Sequence, residues 1–242
     1  RSAAARRALG EHGEYGPLVM RLALCLSALL SMAALPAMAC RLALLLALDV
    51  SSSVDPDEDR LQRDGLAAAL ADHRVQRAFL ANGPVALAAY EWSGRRNQNP
   101  ILGWQLIDTG ADLGRAAARV RASQRVESEF PTALGYALGH AAVEFQRAPT
   151  CARQTLDVSG DGENNDGFAP HLAYRHFPFD GITVNALAIG GDPALIEYFN
   201  AEVVRGPGAF VEVAEDYTDF ARAIRQKLLR EVAPRAVGHL TK

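Results

Sequence analysis

From residue 41 onward, short apolar runs predict six strands, which are separated by longer segments of mixed polarity. The first run, residues 41–48, is apolar almost throughout and lacks alternation. That pattern is typical of a strand buried on both faces in the middle of a parallel sheet. Further apolar runs predict five more strands, at residues 85–91, 101–107, 153–159, 183–189 and 209–213.

The segments between the strands carry the spacing and the end signals of helices. Asp55 and Pro56 provide an N-cap and a first-turn proline for a helix over residues 57–80. The same kinds of pattern predict further helices at residues 111–123, 132–147, 171–176, 193–203 and 217–230. Strands that alternate with helices predict a doubly wound, Rossmann-like α/β fold with a mostly parallel sheet and helices on both faces. The short link between the second and third strands makes that pair antiparallel.

Oxygen-bearing side chains stand where several of these strands end. Asp49, Ser51 and Ser53 alternate directly after the first strand, Asp161 follows the fourth strand, and Thr132 opens a helix between them. Ligands of doubly wound sheets bind beyond the carboxyl ends of the strands, where we expect these residues to meet. Carboxylates and hydroxyls suit a hard divalent cation. Taken singly, Thr132 is better explained as an N-cap and Asp161 as a turn residue.

Together these five residues resemble the metal-ion-dependent adhesion site (MIDAS) of von Willebrand factor type A domains, which integrin inserted domains share. The resemblance covers residues 41–230. It implies six strands in the order 3-2-1-4-5-6, with one antiparallel edge strand. More narrowly, residues 47–55, 90–93 and 156–162 are similar to an uncharacterised group of exported bacterial type A domain proteins, the domain of unknown function DUF1194.

The resemblance also implies a metal, its ligands and a partner. In the family pattern Ser51 and Ser53 bind Mg²⁺, or Mn²⁺, directly, and Thr132 binds directly or through water. Asp49 and Asp161 act mainly through water or by orienting the hydroxyls. Neutral hydroxyls offset the charge of the ion poorly, so a carboxylate from a protein partner is the expected further ligand. The predicted function is an exported, metal-dependent binding or adhesion module.

One further acidic residue needs a partner of its own. Asp157 lies in the middle of the predicted fourth strand, where a buried carboxylate is normally paired. Two partners are open at this point. Asp157 either accepts hydrogen bonds from Ser51 or Ser53 beside the metal, or pairs with an arginine such as Arg125.

The beginning of the chain has the layout of a secretory signal peptide. Met20 and Arg21 precede an apolar run over residues 22–35, and Ala37 and Ala39 provide a small-residue cleavage site before Cys40. The run is too short for a membrane anchor, and no membrane span is expected in the mature chain. We therefore expect residues 1–19 to be a flexible extension or a misplaced start, residues 20–39 a signal peptide and residues 40–242 the exported domain, which is periplasmic or secreted.

Two cysteines remain once Cys25 leaves with the signal peptide. Cys40 precedes Asp49, and Cys151 precedes Asp161, by about the length of one strand. If those two strands are parallel neighbours, about 4.8 Å apart, their bases fall within reach of a disulfide. An oxidising compartment favours this bridge. Lipidation of Cys40 as the first mature residue is the alternative.

The composition of the chain and the motifs that it lacks argue against several other classes of function. The net charge of -3 gives no reason to expect nucleic acid as a partner. The sequence has no phosphate-binding loop, and Ser159 lacks the flanking glycines of a nucleophile elbow. An enzyme is therefore not expected. The alternatives are a metal-dependent hydrolase or phosphatase with Asp49 as nucleophile, and a structural domain with a vestigial metal site.

Overall fold

The computed structural model describes residues 40–233. The predicted extension at residues 1–19, the predicted signal peptide at residues 20–39 and the last residues of the predicted domain lie outside this range. Among the described residues, no helix is both long enough and apolar enough to cross a bilayer.

A single six-stranded sheet forms the centre of the fold, in the order β3-β2-β1-β4-β5-β6. Its strands are β1 Leu42–Asp49, β2 Val85–Ser93, β3 Asn97–Ile107, β4 Gln154–Gly160, β5 Ile182–Ile189 and β6 Val211–Ala214. The edge strand β3 is antiparallel to β2, and the other neighbours are parallel. The predicted doubly wound α/β fold, its strand order and its antiparallel edge are confirmed.

Seven α-helices cover the two faces of the sheet within the described range. They are α1 Pro56–Ala71, α2 His73–Leu80, α3 Gly110–Ala122, α4 Leu134–Phe145, α5 Pro170–His176, α6 Pro193–Tyr198 and α7 Phe220–Val232, and the π-helical turn Phe199–Val203 follows α6. The single helix predicted over residues 57–80 is wrong, because the chain turns at Asp72. The Asp72 carboxylate accepts hydrogen bonds from the backbone N–H groups of Arg74 and Val75, and so starts a new helix.

The central strand β1 explains why this sequence folds as two layers of helices around one sheet. All eight of its residues are buried. Leu42, Leu44, Leu46 and Leu48 pack in the core under α1, α2, α3 and α7, whereas Ala43, Leu45 and Ala47 pack in the core under α4, α5 and α6. Each fully buried leucine contributes about 1.5–3 kcal/mol of hydrophobic stabilisation. The unbroken apolar run is therefore the pattern that this position requires.

The starts of β1 and β4 are joined covalently. Cys40 and Cys151 form a disulfide with their Cα atoms 4.5 Å apart, directly before two strands that pair in parallel. The predicted bridge is confirmed, and it leaves no free thiol on Cys40 for a lipid. At the same edge of the sheet, the Arg41 guanidinium donates a 2.8 Å hydrogen bond to the carbonyl oxygen of Val232, so both ends of the described chain lie there.

Candidate metal centre

The structure brings all five predicted ligands together at the carboxyl edge of β1 and β4. The Oγ atoms of Ser51 and Ser53 lie 3.1 Å apart, and Ser53 Oγ donates a 2.8 Å hydrogen bond to Asp161 Oδ1. Thr132 Oγ1 is 3.3 Å from Ser51 Oγ. The backbone N–H of Ser51 donates to Asp49 Oδ1 over 2.8 Å. Three hydroxyls and two carboxylates therefore share one small volume, which we call the oxygen cluster.

The oxygen cluster is buried on one side and open on the other. Asp49 and Ser51 are 0% exposed, whereas Ser53 faces solvent. The second carboxylate oxygen of Asp49, Oδ2, is buried without a hydrogen-bond partner. Burial first, and then the nearby charge of Asp161, raise the pKa of Asp49 to about 7.

This arrangement fits a hard divalent cation. Mg²⁺ and Mn²⁺ prefer carboxylate, hydroxyl and water oxygens, and the cluster offers the first two next to solvent. The unpartnered Asp49 Oδ2 is the observation that tests the fit, since a buried acceptor without a donor is costly unless a cation or water meets it. Within residues 40–233 no group of three or more His, Cys, Asp or Glu side chains could hold a metal, and the oxygen cluster differs from such groups in its three hydroxyls.

Thr132 does not cap the helix that it precedes. Helix α4 begins at Leu134, and its N-cap residue is Ala133, which makes no side-chain cap hydrogen bond. The N–H groups of this helix start are met from another loop instead, because Asn165 Oδ1 accepts from Thr132 N over 2.9 Å and Asn164 Oδ1 accepts from Gly135 N over 3.1 Å. The N-cap explanation of Thr132 is wrong, and its hydroxyl is free to face Ser51.

Residues behind the oxygen cluster hold β1 in place. Gln62 Nε2, from α1, donates to the carbonyl oxygen of Asp49 over 2.9 Å. The amide oxygen of Gln62 accepts from Ser159 Oγ at 3.0 Å, so this buried serine supports the end of β1. Gly160 lets β4 approach this carboxylate closely, since a Cβ there would lie 3.1 Å from Asp49 Oδ2. Gln62 was not predicted as part of this site, because its only signal in the sequence is a polar residue on the apolar face of α1.

A second support comes from Arg125, whose guanidinium binds backbone carbonyls only. It donates to Val50 and Val54 over 2.6 Å each and to Ser51 over 2.8 Å, which are carbonyls of the turn that carries Ser51 and Ser53. Its remaining hydrogen bonds go to the carbonyls of Glu127 and Ser128 in its own loop. Arg125 therefore joins the turn that carries Ser51 and Ser53 to the loop after α3.

The expected partners of Asp157 are wrong. Its carboxylate lies 2.6 Å from Lys227 Nζ, on α7, and contacts neither Arg125 nor the serines. Lys227 also pairs with Glu231 at 2.8 Å, and Asn185 donates to Glu231. Burial first, and then the Asp157 charge, raise the pKa of Glu231 to about 8. This buried cluster ties α7 to β4 and β5 on the far side of the sheet from α4, away from the oxygen cluster.

The fold is that of von Willebrand factor type A domains. A mussel byssus protein, proximal thread matrix protein 1, superposes with a TM-score of 0.57 at 14% identity, over 79% of this chain and 47% of its own. A structure of the same protein "with zinc occupied MIDAS motif" gives a TM-score of 0.53 at 13% identity, over 79% and 47%. The von Willebrand factor type A protein of Catenulispora acidiphila gives 0.55 at 16%, over 79% and 43%.

These likenesses concern the fold, and the chain spans less than half the length of those proteins. No curated protein sequence matches it. A family model does match, over residues 39–236. The chain belongs to the family described as protein of unknown function (DUF1194), as the sequence motifs predicted.

Proposed function

We propose that this protein is an exported binding module that holds Mg²⁺ or Mn²⁺ in the oxygen cluster and docks an acidic group of a protein partner. Ser51, Ser53 and Thr132 would hold the ion, with Asp49 and Asp161 acting mainly through water or on the hydroxyls. The bound cation would supply an electrophilic anchor for a carboxylate.

The observation that carries this proposal is the unpartnered Asp49 Oδ2 beside three converging hydroxyls. A turn that only caps a helix does not require two buried or half-buried carboxylates side by side, and the repulsion between them destabilises the fold. A cation offsets that cost. The neighbour with a zinc-occupied MIDAS motif supports a divalent ion in this fold, although that finding concerns the mussel protein.

A carboxylate partner follows from the charge balance around such an ion. The hydroxyls are neutral, and the open side of the cluster at Ser53 faces solvent. A partner that places an acidic side chain there would complete the coordination and neutralise the ion in one contact.

Export of the protein is also part of the proposal, and it is supported by observations that do not involve the oxygen cluster. The disulfide between Cys40 and Cys151 is a feature of oxidising compartments. Cleavage after Ala39 would leave Cys40 as the first residue of the mature chain, directly before β1. Mass spectrometry of the protein from its own cell envelope tests this, with a mature mass that begins at Cys40 as the expected result.

Metal binding is tested by calorimetry and thermal unfolding of the full chain, first freed of metal with chelator and then titrated with Mg²⁺ or Mn²⁺. We expect binding and a higher Tm for the wild type, and neither for Asp49→Ala or Ser53→Ala. Ser52→Ala is the matched control, because Ser52 is an exposed neighbour whose hydroxyl takes no part in the cluster. Absence of binding in millimolar Mg²⁺ and Mn²⁺ would refute the proposal.

The partner is tested by passing envelope extract over immobilised wild type and Ser53→Ala proteins. We expect a protein that the wild type retains with Mg²⁺ and releases with chelator, and that the variant does not retain. Retention that ignores both chelator and variant would exclude docking through the metal.

A further inference from the structure

A second concave site lies beside the turn that carries Ser51 and Ser53, between α1, α3 and the loop that follows α3. Its volume is about 480 Å³. The charged residues that line it are Arg60, Arg63, Arg121, Arg125, Asp59 and Asp64. Four guanidinium groups thus face two carboxylates. We call this site the arginine cavity.

The two inner arginines are fixed and already hydrogen-bonded. Arg63 bonds to Asp59 over 2.9 Å and to Glu91 over 2.6 Å, so its charge is balanced locally. Arg125 donates to backbone carbonyls, and its charge has no carboxylate partner among the described residues. The two inner arginines are thus matched by two carboxylates, Asp59 and Glu91, and the excess positive charge of the cavity comes from the outer arginines, which have only Asp64 between them.

The two outer arginines are available to a ligand. Arg60 is exposed on α1 and has no hydrogen-bond or ion-pair partner within residues 40–233. Arg121, on α3, has one long ion pair of 3.4 Å with Asp64, and both side chains are more than half exposed. Such a pair contributes little stability, so a ligand can replace it at small cost. The exposed amide of Gln124 adds a further donor at the rim.

We propose that the arginine cavity binds an anionic group: a phosphate, a sulfate or a carboxylate. Guanidinium groups bind all three in bidentate fashion, and Arg60 and Arg121 approach from two different helices. A concave wall with excess positive charge also concentrates anions near it. This site is distinct from the oxygen cluster and does not require a metal, so it stands or fails apart from the proposed function.

The test uses the full chain in chelator, so that no anion can bind through a metal. Sodium phosphate, sodium sulfate and sodium acetate are titrated at constant ionic strength, with sodium chloride as the reference. Amide NMR shifts should move around Arg60, Arg121 and Gln124 and saturate with at least one oxyanion. The order of the three affinities identifies the chemistry that the cavity prefers.

Variants locate the site. Arg60→Ala combined with Arg121→Ala should weaken binding at least about tenfold, because the loss of even one hydrogen bond between charged groups costs about that factor. Arg119→Ala is the matched control, since Arg119 is exposed on the same helix and lies outside the cavity. The inference is overturned if no oxyanion produces saturable shifts, or if the double variant binds as tightly as the wild type. The shifts in the wild type alone decide the matter if the double variant does not fold.

Discussion

The guanidinium of Arg125 donates a 2.8 Å hydrogen bond to the carbonyl oxygen of Ser51, whose hydroxyl belongs to the oxygen cluster. The same guanidinium binds the carbonyls of Val50 and Val54 on either side. One side chain from the loop after α3 therefore fixes the backbone of the turn that positions two candidate metal ligands.

Replacing Arg125 should affect stability and metal binding together. Arg125→Ala leaves several carbonyls of the turn without donors, and we expect it to lower the free energy of unfolding by about 3 kcal/mol. Arg125→Lys should recover only part of this loss, because a single ammonium group cannot donate to as many carbonyls as the planar guanidinium. Denaturant unfolding, with and without Mg²⁺, measures both effects. Arg119→Ala removes the same charge from exposed surface and should change neither; equal effects of the two alanine variants would contradict the role of Arg125.

Asp49→Asn should separate stability from metal binding. An amide keeps an acceptor for the N–H of Ser51 but removes the charge that repels Asp161. In chelator at pH 8, we expect the variant to be as stable as the wild type or about 1 kcal/mol more stable. In Mg²⁺ the order should reverse, because only the wild type gains from the ion. Unfolding curves under the two conditions measure this, and an equal gain from Mg²⁺ in both proteins would contradict it.

The buried pair of Lys227 and Glu231 predicts a pH dependence of stability. The pKa of Glu231 is about 8 in the fold, against 4.5 for an ordinary glutamate, so folding takes up a proton between these values. Stability from this group is therefore present at low pH and falls as the pH rises towards 8. We expect a loss of up to about 5 kcal/mol across this range in the wild type, since each unit of pKa shift corresponds to about 1.4 kcal/mol.

Glu231→Gln tests that slope, because glutamine stays neutral throughout and can still accept from Lys227 and Asn185. Unfolding is measured from pH 5 to 9 in saturating Mg²⁺, which holds the state of the oxygen cluster constant. The variant should have a flatter profile than the wild type. Parallel profiles would show that Glu231 does not titrate in this range.

Gly135 packs against the loop whose Asn164 and Asn165 accept hydrogen bonds from the start of α4. A Cβ at this position would lie 1.9 Å from the carbonyl oxygen of Phe168, so the loop over residues 163–168 would have to move. Gly135→Ala should lower the free energy of unfolding by about 2–4 kcal/mol and weaken Mg²⁺ binding through Thr132. Gly114→Ala, in α3 with open space around its Cβ, should be neutral or stabilise by up to about 1 kcal/mol. Chemical unfolding of both variants compares them directly.

The strands of the sheet could be predicted because each one is indicated by residues that are close together in the sequence. An uninterrupted apolar run, as in β1, has few alternatives to a central strand. The bridge could be predicted because Cys40 and Cys151 each precede an aspartate by about the length of one strand. The oxygen cluster followed from the same regularity, since parallel strands place their carboxyl ends at one edge. The residues that meet there could therefore be predicted from their positions at the strand ends, together with the family resemblance.

The errors share a different physical cause. Asp157 is paired with Lys227, and Arg125 with backbone carbonyls; both contacts join segments that are distant in the chain. Side-chain type does not reveal a backbone acceptor, and a lysine in an amphipathic helix is usually exposed. The turn at Asp72 was missed because neither glycine nor proline marks it, although its carboxylate caps α2.

The hydrogen bond between Arg41 and Val232 places the entry and the exit of the described chain side by side. The oxygen cluster lies at the other end of β1, about 25 Å away at the rise of a strand. A tether that leaves from either end of the described range therefore starts at the edge opposite the oxygen cluster, and the oxygen cluster faces away from it. A domain with this layout presents its candidate site to a facing surface without needing a long linker.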